Sequence, residues 1–153
     1  MNKILISYFS ASGKTKKVAL ELAKMLNGDL FEIEPLNKYT LEDLDWTDKT
    51  SRTTKEMSNR SFRPEIKEKV NNIENYNKLI IGFPVWWYTA PTIINTFLEE
   101  NDISNKEVYI FVTSGGSSAL KSFNDLRNMY PNINFISCKT FNDQNIDITD
   151  WIN

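Results

Sequence analysis

Histidine is absent from this 153-residue chain, and cysteine occurs once, as Cys138. Without histidine there is no Ser-His-Asp or Cys-His nucleophile system and no imidazole-ligated metal. A single cysteine excludes an internal disulfide and suits a reducing, cytoplasmic setting. It lies in INFISCKTF, where a buried strand thiol is expected and not a reactive one. No apolar run approaches the roughly 18 to 20 residues that span a bilayer, so no membrane partner is expected. The opening MNKILISYF has one lysine and no small-residue cleavage site behind it. It reads as a first strand and not as a signal peptide. Charge of one sign is lacking too: 18 basic and 20 acidic residues leave a net charge of −2. That balance argues against nucleic acid as the main partner. No catalytic side chain and no metal site suggest themselves, so chemistry would come from a cofactor.

What is present suits one soluble domain over residues 1–153 with a well-formed core. Lys3–Phe9, Asp29–Glu34, Lys78–Pro84, Glu107–Thr113 and Asn134–Lys139 read as five strands. ILISYF, LIIGF and VYIFV are nearly continuous in apolar residues, as in parallel strands buried on both faces. DLFEIE alternates and is expected at an edge. Between strands the period becomes 3.6. Val18, Leu22, Met25 and Leu26 share a face, Ala19 and Ala23 flank it, and Gly28 is the expected stop. Pro64 is expected to open a helix through Ile66, Val70 and Ile73, and Pro91 another through Ile93, Ile94, Phe97 and Leu98. Ser117 or Ser118 can cap a fourth, with Ala119, Phe123, Leu126 and Tyr130 inward. Strand–helix alternation of this kind predicts an α/β fold with a doubly wound, five-stranded parallel sheet.

Two segments depart from the alternation. Pro35–Arg63 is a long polar connection with Tyr39, Leu41, Leu44, Trp46 and Phe62 as expected anchors. From Asp48 to Pro64 it carries two acids (Asp48, Glu56) and five bases (Lys49, Arg52, Lys55, Arg60, Arg63). Long loops in compact domains are usually functional or mobile. Asn142–Asn153 leaves room for about two turns of a last helix, with Ile148, Trp151 and Ile152 as its apolar face.

In open α/β sheets ligands bind outside the carboxyl ends of the strands, where the winding reverses. Three loops there belong together. The first is Ser10, Ala11, Ser12, Gly13, Lys14 and Thr15: hydroxyls and N–H groups at a helix N-terminus, an anion site by geometry and dipole. Its GKT ending suggests a triphosphate. The phosphate-loop pattern, however, requires glycine where this chain has Tyr8, so a single phosphate monoester fits better. The second loop, Pro84, Val85, Trp86, Trp87 and Tyr88, places three consecutive large rings after a buried strand. They cannot all point inward, so at least one is expected exposed or stacked on a flat ligand. The third, Thr113, Ser114, Gly115, Gly116 and Ser117, offers small residues and N–H groups for close backbone approach.

A phosphate loop, an aromatic loop and a Gly/Ser loop in this order resemble the flavodoxin family. The likeness is to its shorter members, with YFSxSGxT, PxWWxxAP and TSGGS after strands one, three and four. The resemblance covers essentially the whole chain. It implies the flavodoxin-like strand order 2-1-3-4-5 and one non-covalent FMN. By position, Ser10 to Thr15 match the phosphate loop, Pro84 to Tyr88 the loop flanking the isoalloxazine, with Trp87 as the stacking ring, and Thr113 to Ser117 the loop near the pyrimidine edge. Two departures stand out. Lys14 occupies a position where the family often carries an uncharged residue, and the three loops contain no Asp or Glu. The latter implies a less negative potential for full reduction than in the acidic electron carriers.

The leading expectation is an FMN-dependent electron transfer protein, not itself an enzyme, shuttling electrons between redox partner proteins through transient interfaces. It would be a cytoplasmic monomer or weak dimer. The alternative is an NAD(P)H-dependent FMN or quinone reductase, with the basic residues Arg52–Arg63 meeting a nucleotide phosphate or an acidic substrate. A third is a binding domain that has lost FMN.

Overall fold

A computed structural model describes residues 3–114, 118–141, 146–149 and 151–152. Five strands, β1 (Ile4–Tyr8), β2 (Asp29–Glu32), β3 (Lys78–Pro84), β4 (Glu107–Thr113) and β5 (Asn134–Phe141), form one sheet. Its order is β2-β1-β3-β4-β5, and every pairing is parallel. The near-continuous apolar strands β1, β3 and β4 are the three central ones. The alternating DLFE of β2 lies at an edge with three of its four residues exposed. That follows from burial on two faces in the middle of a parallel sheet and on one face at its margin.

Helices α1 (Lys14–Leu26), α3 (Thr92–Glu100) and α4 (Ala119–Met129) follow β1, β3 and β4. One face of the sheet packs on α3 and α4 through Ile93, Ile94, Phe97, Ala119, Phe123 and Leu126. The other packs on α1 through Val18, Ala19 and Leu22. Ser118 caps α4, accepting from the Leu120 N–H at 3.0 Å. The stop for α1 is Asn27, left-handed at φ 52°, one residue before the expected glycine. Met25 of that helix is exposed.

Gly82 in β3 has a packing reason. Its register partner is Phe111 of β4, whose ring would lie 1.9 Å from a Cβ at this position. Cys138 is half-buried on β5, and burial pushes its thiol pKa up.

One expected helix does not form, and of a second, expected within Asn142–Asn153, residues 142–145, 150 and 153 lie outside the described residues. From Pro64 the chain runs extended: Ile66 bridges Pro35 antiparallel, and the Lys67 N–H donates to the Glu34 carbonyl at 2.8 Å. Ile66, Val70 and Ile73 still pack on the core, because an irregular chain can deliver the same i, i+4, i+7 residues to a surface. Only Ile73–Asn75 closes a 3₁₀ turn, after Asn72 at φ 58°. Near the C-terminus no α-helix occurs among the described residues. Trp151 is nonetheless buried, its ring edge-on to Tyr109, Phe111 and Phe141. The apolar face was expected; a tight turn closed by the Trp151 N–H on the Ile148 carbonyl at 3.1 Å presents it.

The long connection, conversely, holds a helix that periodicity did not reveal: α2, Arg52–Ser58, with Ser51 as its N-cap. Of the expected anchors, Leu41 is 89% exposed and Trp46 73%, and Phe62 is exposed as well. Only Tyr39 and Leu44 are partly buried. Polar groups hold this segment instead. Glu56, 7% exposed, accepts from the Tyr39 hydroxyl at 2.5 Å and from Arg52 Nε at 2.9 Å. No helix among the described residues is long and apolar enough to cross a membrane.

Candidate flavin site

The strand registers bring three loops flush at one edge of the sheet. Tyr8 pairs with Gly82 and Pro84 with Thr113, so β1, β3 and β4 release their chains at neighbouring points. Between β1 and β3 the winding reverses, which opens a crevice at the carboxyl ends.

The first loop is shaped locally. Gly13 adopts φ 96°, a conformation that L side chains rarely take. Its N–H donates to Ser10 Oγ at 3.1 Å, closing a tight turn into α1. No side chain caps the helix, and its first turn carries no acid. The first N–H groups of α1 and the positive end of its dipole therefore have no capping side chain or first-turn acid to compete with an anion. Ser12, Gly13 and Lys14 are exposed and Ser10 and Ala11 partly buried. Thr15 is buried, and its Oγ1 shares a hydrogen bond of 2.7 Å with Thr113 Oγ1. These two hydroxyls tie the first loop to the third.

The aromatic loop is a two-residue hairpin. Trp86 and Thr89 exchange both backbone hydrogen bonds, at 2.9 and 3.0 Å. The residues between them, Trp87 at φ 48° and Tyr88 at φ 67°, are both left-handed. Turns of this form favour Asn and Gly; two aromatic residues here hold backbone strain, which clusters at functional sites. The three rings divide as a chain at a surface must divide them. Trp86 turns in, edge-on to Phe9 at 5.4 Å and to Tyr39 at 5.4 Å between ring centres. Trp87 is 40% exposed and Tyr88 71%. The Val85 N–H reaches the Thr113 carbonyl at 3.4 Å, so this loop too abuts the third. Of the third loop, Thr113 and Ser114 are described, while Gly115, Gly116 and Ser117 lie outside the described residues.

Acids absent from the loops approach from elsewhere. Glu32 and Glu34, at the end of β2, border with Ser10, Ala11, Lys38 and Tyr39 a cavity of about 220 Å³ beside the first loop. Glu32 receives the Tyr8 hydroxyl at 3.4 Å, and burial together with Glu32 pushes the Tyr8 pKa up to about 12. On the other side, Asp125 of α4 accepts from Thr89 Oγ1 at 2.6 Å and from Lys121 at 2.8 Å. Burial alone would raise the Asp125 carboxyl, and those two bonds outweigh it, leaving its pKa below the ordinary value. The basic connection also arrives here: an Arg60 guanidinium NH₂ donates to the Ala90 carbonyl at 3.2 Å. Linear inspection of the loops could not reveal these neighbours. The one available signal was the Ser51 cap with the Arg52/Glu56 pair at helical spacing.

Among the described residues no group of three or more acid or thiol side chains is placed to hold a metal ion. The arrangement offers an anion cradle at one point and flat aromatic surface at another, with backbone between. Such an arrangement suits a phosphorylated planar ligand at the sheet edge. Comparison with known proteins gives the family. The sequence model of the flavodoxin family matches residues 3–153, and the chain belongs to that family. It is 43% identical to a candidate flavoprotein of Bacteroides eggerthii, with a TM-score of 0.93 over 95% of this chain and 91% of that one. It is 28% identical to a Lactobacillus acidophilus flavoprotein solved in complex with FMN, with a TM-score of 0.73 over 92% of this chain and 93% of that one. A protein named FMN-dependent NADH:quinone oxidoreductase, from Mycoplasmoides gallisepticum, is 26% identical over 123 residues. That alignment takes in 78% of this chain but spans only 62% of the relative's length.

Proposed function

We propose that the protein is an FMN-dependent redox protein that passes electrons between partner proteins. The observation that carries this reading is the pairing, across one sheet edge, of an uncapped, acid-free helix N-terminus with an exposed aromatic turn. The residues present fit FMN chemically. Ser10, Ser12, Gly13 and the first N–H groups of α1 suit the phosphate, and an added Cβ at Gly13 would meet nothing within 4 Å. Trp87 and Tyr88 offer ring surface for the isoalloxazine, and Thr113 is hydrogen-bonded to both neighbouring loops.

When bound, FMN supplies reversible one- and two-electron chemistry, and the protein binds, orients and tunes it. Lys14 adds positive charge beside the phosphate cradle. The hydrogen bond between Thr15 and Thr113 ties two of the loops together. Asp125, Glu32 and Glu34 put negative charge near the site, partly offset by Lys121, Arg60 and Lys38. The potential for full reduction is therefore expected below what acid-free loops alone would imply. Partners would be redox proteins meeting the exposed Trp87–Tyr88 edge through a small, transient interface.

A second reading is supported by the Mycoplasmoides relative: an NADH- or NADPH-dependent reductase of quinones or free flavin. Reconstitution with FMN followed by anaerobic addition of NADH or NADPH separates the two. Absorption bands of bound flavin that persist after the addition, and bleach with dithionite, support the carrier. Rapid bleaching by the nicotinamide nucleotide alone supports the reductase. A chain that takes up no flavin from excess FMN removes both.

A further inference from the structure

The connection after β2 makes a cluster that no requirement of the sheet explains. Glu56 is buried beneath it, joined to Arg52 at 2.9 Å and to the Tyr39 hydroxyl at 2.5 Å. The Arg52 guanidinium also lies 3.8 Å from the centre of the Tyr39 ring and donates to the Asn37 carbonyl at 2.8 Å. Tyr39 is thus gripped at its hydroxyl, on its face and through the backbone two residues before it. It also borders, with Ser10 and Ala11, the cavity beside the first loop. Phe9, Tyr39 and Trp86 form a triangle of edge-to-face contacts at 5.8, 5.4 and 5.4 Å. Phe9 precedes Ser10 of the first loop, and Trp86 begins the strained Trp87–Tyr88 turn.

A left-handed pair of aromatic residues persists only where surrounding structure over-determines it. The hairpin's own two hydrogen bonds hold its ends, and the packing of Trp86 sets its tilt against the first loop. We propose that Tyr39, clamped by Arg52 and Glu56, is a positioning residue for the flavin ring. It fixes Trp86 and so sets the angle at which Trp87 and Tyr88 face the crevice. The inference rests on the FMN reading above and adds a residue outside the three loops to it. Buried charge at Glu56 gives the clamp direction: a carboxylate shared between a guanidinium and a phenol tolerates few geometries. An apolar contact at the same place would leave the ring free to slide.

A purely structural role and a positioning role predict different readouts. The test compares Tyr39→Phe, Tyr39→Ala, Glu56→Gln and Ser12→Ala with the unaltered protein. FMN and riboflavin, which lacks the phosphate, are each titrated by quenching of flavin fluorescence, and visible circular dichroism is recorded for the bound flavin. Tyr39→Phe is expected to weaken FMN and riboflavin by the same factor, about fivefold, and Tyr39→Ala by about thirtyfold, the range of coupling through packed neighbours. Both should alter the visible dichroism, and Glu56→Gln should follow Tyr39→Phe. Ser12→Ala should weaken FMN alone. If Tyr39→Ala does not fold, the Tyr39→Phe and Glu56→Gln pair decides. Unchanged dissociation constants and dichroism in these variants, even with a lowered unfolding midpoint, would overturn the positioning role while leaving FMN binding intact. A loss confined to FMN would overturn it as well. An unaltered protein that binds neither flavin would overturn the function and the inference together.

Discussion

The first loop and the aromatic loop sit side by side and are shaped in opposite ways. Ser10–Thr15 is shaped by its own residues: Gly13 takes the left-handed turn, Ser10 receives its N–H, and the helix that follows provides the dipole. Pro84–Tyr88 is shaped by residues far away in sequence. Its two left-handed positions are aromatic, its first tryptophan is held by Phe9 and Tyr39, and its flank leans on Thr113 and Asp125. A phosphate is a compact, symmetric anion that a local nest of N–H groups can satisfy. A planar ring demands an orientation, and orientation at a surface loop comes from what packs behind it.

That contrast can be broken most severely where both loops depend on one backbone point. The Gly82 carbonyl accepts the Phe9 N–H at 2.9 Å, and Phe111 covers its Cα. Gly82→Val should therefore destabilise the fold by about 3 kcal/mol, through overpacking against a ring in a central strand. Urea unfolding measures this, and binding of FMN and riboflavin should weaken together.

The next largest effect isolates the ring loop. Trp87→Ala should weaken FMN by about 2 kcal/mol, the scale of a stacked aromatic anchor, with little change in the unfolding midpoint. An unchanged affinity would transfer the stacking role to Tyr88, since Trp86 is engaged with Phe9 and Tyr39. The link between loops comes third. Thr15→Val leaves the Thr113 hydroxyl buried without its partner, a loss of about 1.5 kcal/mol in unfolding free energy.

A smaller change should have the opposite sign. Tyr88→Gly relieves the side-chain strain at φ 67°, so the flavin-free protein should gain about 0.5 kcal/mol while FMN binds less tightly. A destabilised variant would mean that packing of the tyrosine outweighs its backbone strain. The smallest effect is read through pH. Burial and the bond to Glu56 raise the Tyr39 pKa above its ordinary 10.0, so the folded state holds this proton more tightly than the unfolded one. The stabilisation is fully present below pH 10.0 and is lost as pH rises through the higher folded value. Tyr39→Phe cannot titrate there, so the difference in urea midpoint between the two proteins should shrink as pH rises through that region.

Much of the frame was legible because it rests on patterns that repeat along the chain. Burial on two faces writes continuous apolar strands, and ILISY, KLIIGFP and EVYIFVT became the three central ones. Pro91 marked the start of α3, and of the two expected caps, Ser117 and Ser118, the second opens α4. The failures share a cause as well. Ile66, Val70 and Ile73 have helical spacing but reach the core from an extended chain, because spacing reports which residues are buried and not the path between them. Leu41 and Trp46 were expected as anchors from hydrophobicity alone. A charged cluster anchors the segment instead: Arg52 and Glu56 pair at helical spacing, and Tyr39, 17 residues from Glu56, joins them only on folding.

The sequence by itself determined the alternation of strands and helices, the edge position of β2, the small-residue turn into α1 and the presence of a ring-bearing loop. Each of these depends on near neighbours: on side-chain period, on a glycine where φ must be positive, on three rings too many for one core. Tertiary structure alone decided which tryptophan packs and which stays exposed, which hydroxyls are taken up by each other, and which acids stand beside the site. Those outcomes depend on contacts across the sheet, such as Thr15 with Thr113 and Tyr39 with Trp86. Their partners are set by register and crossover and not by any interval along the chain.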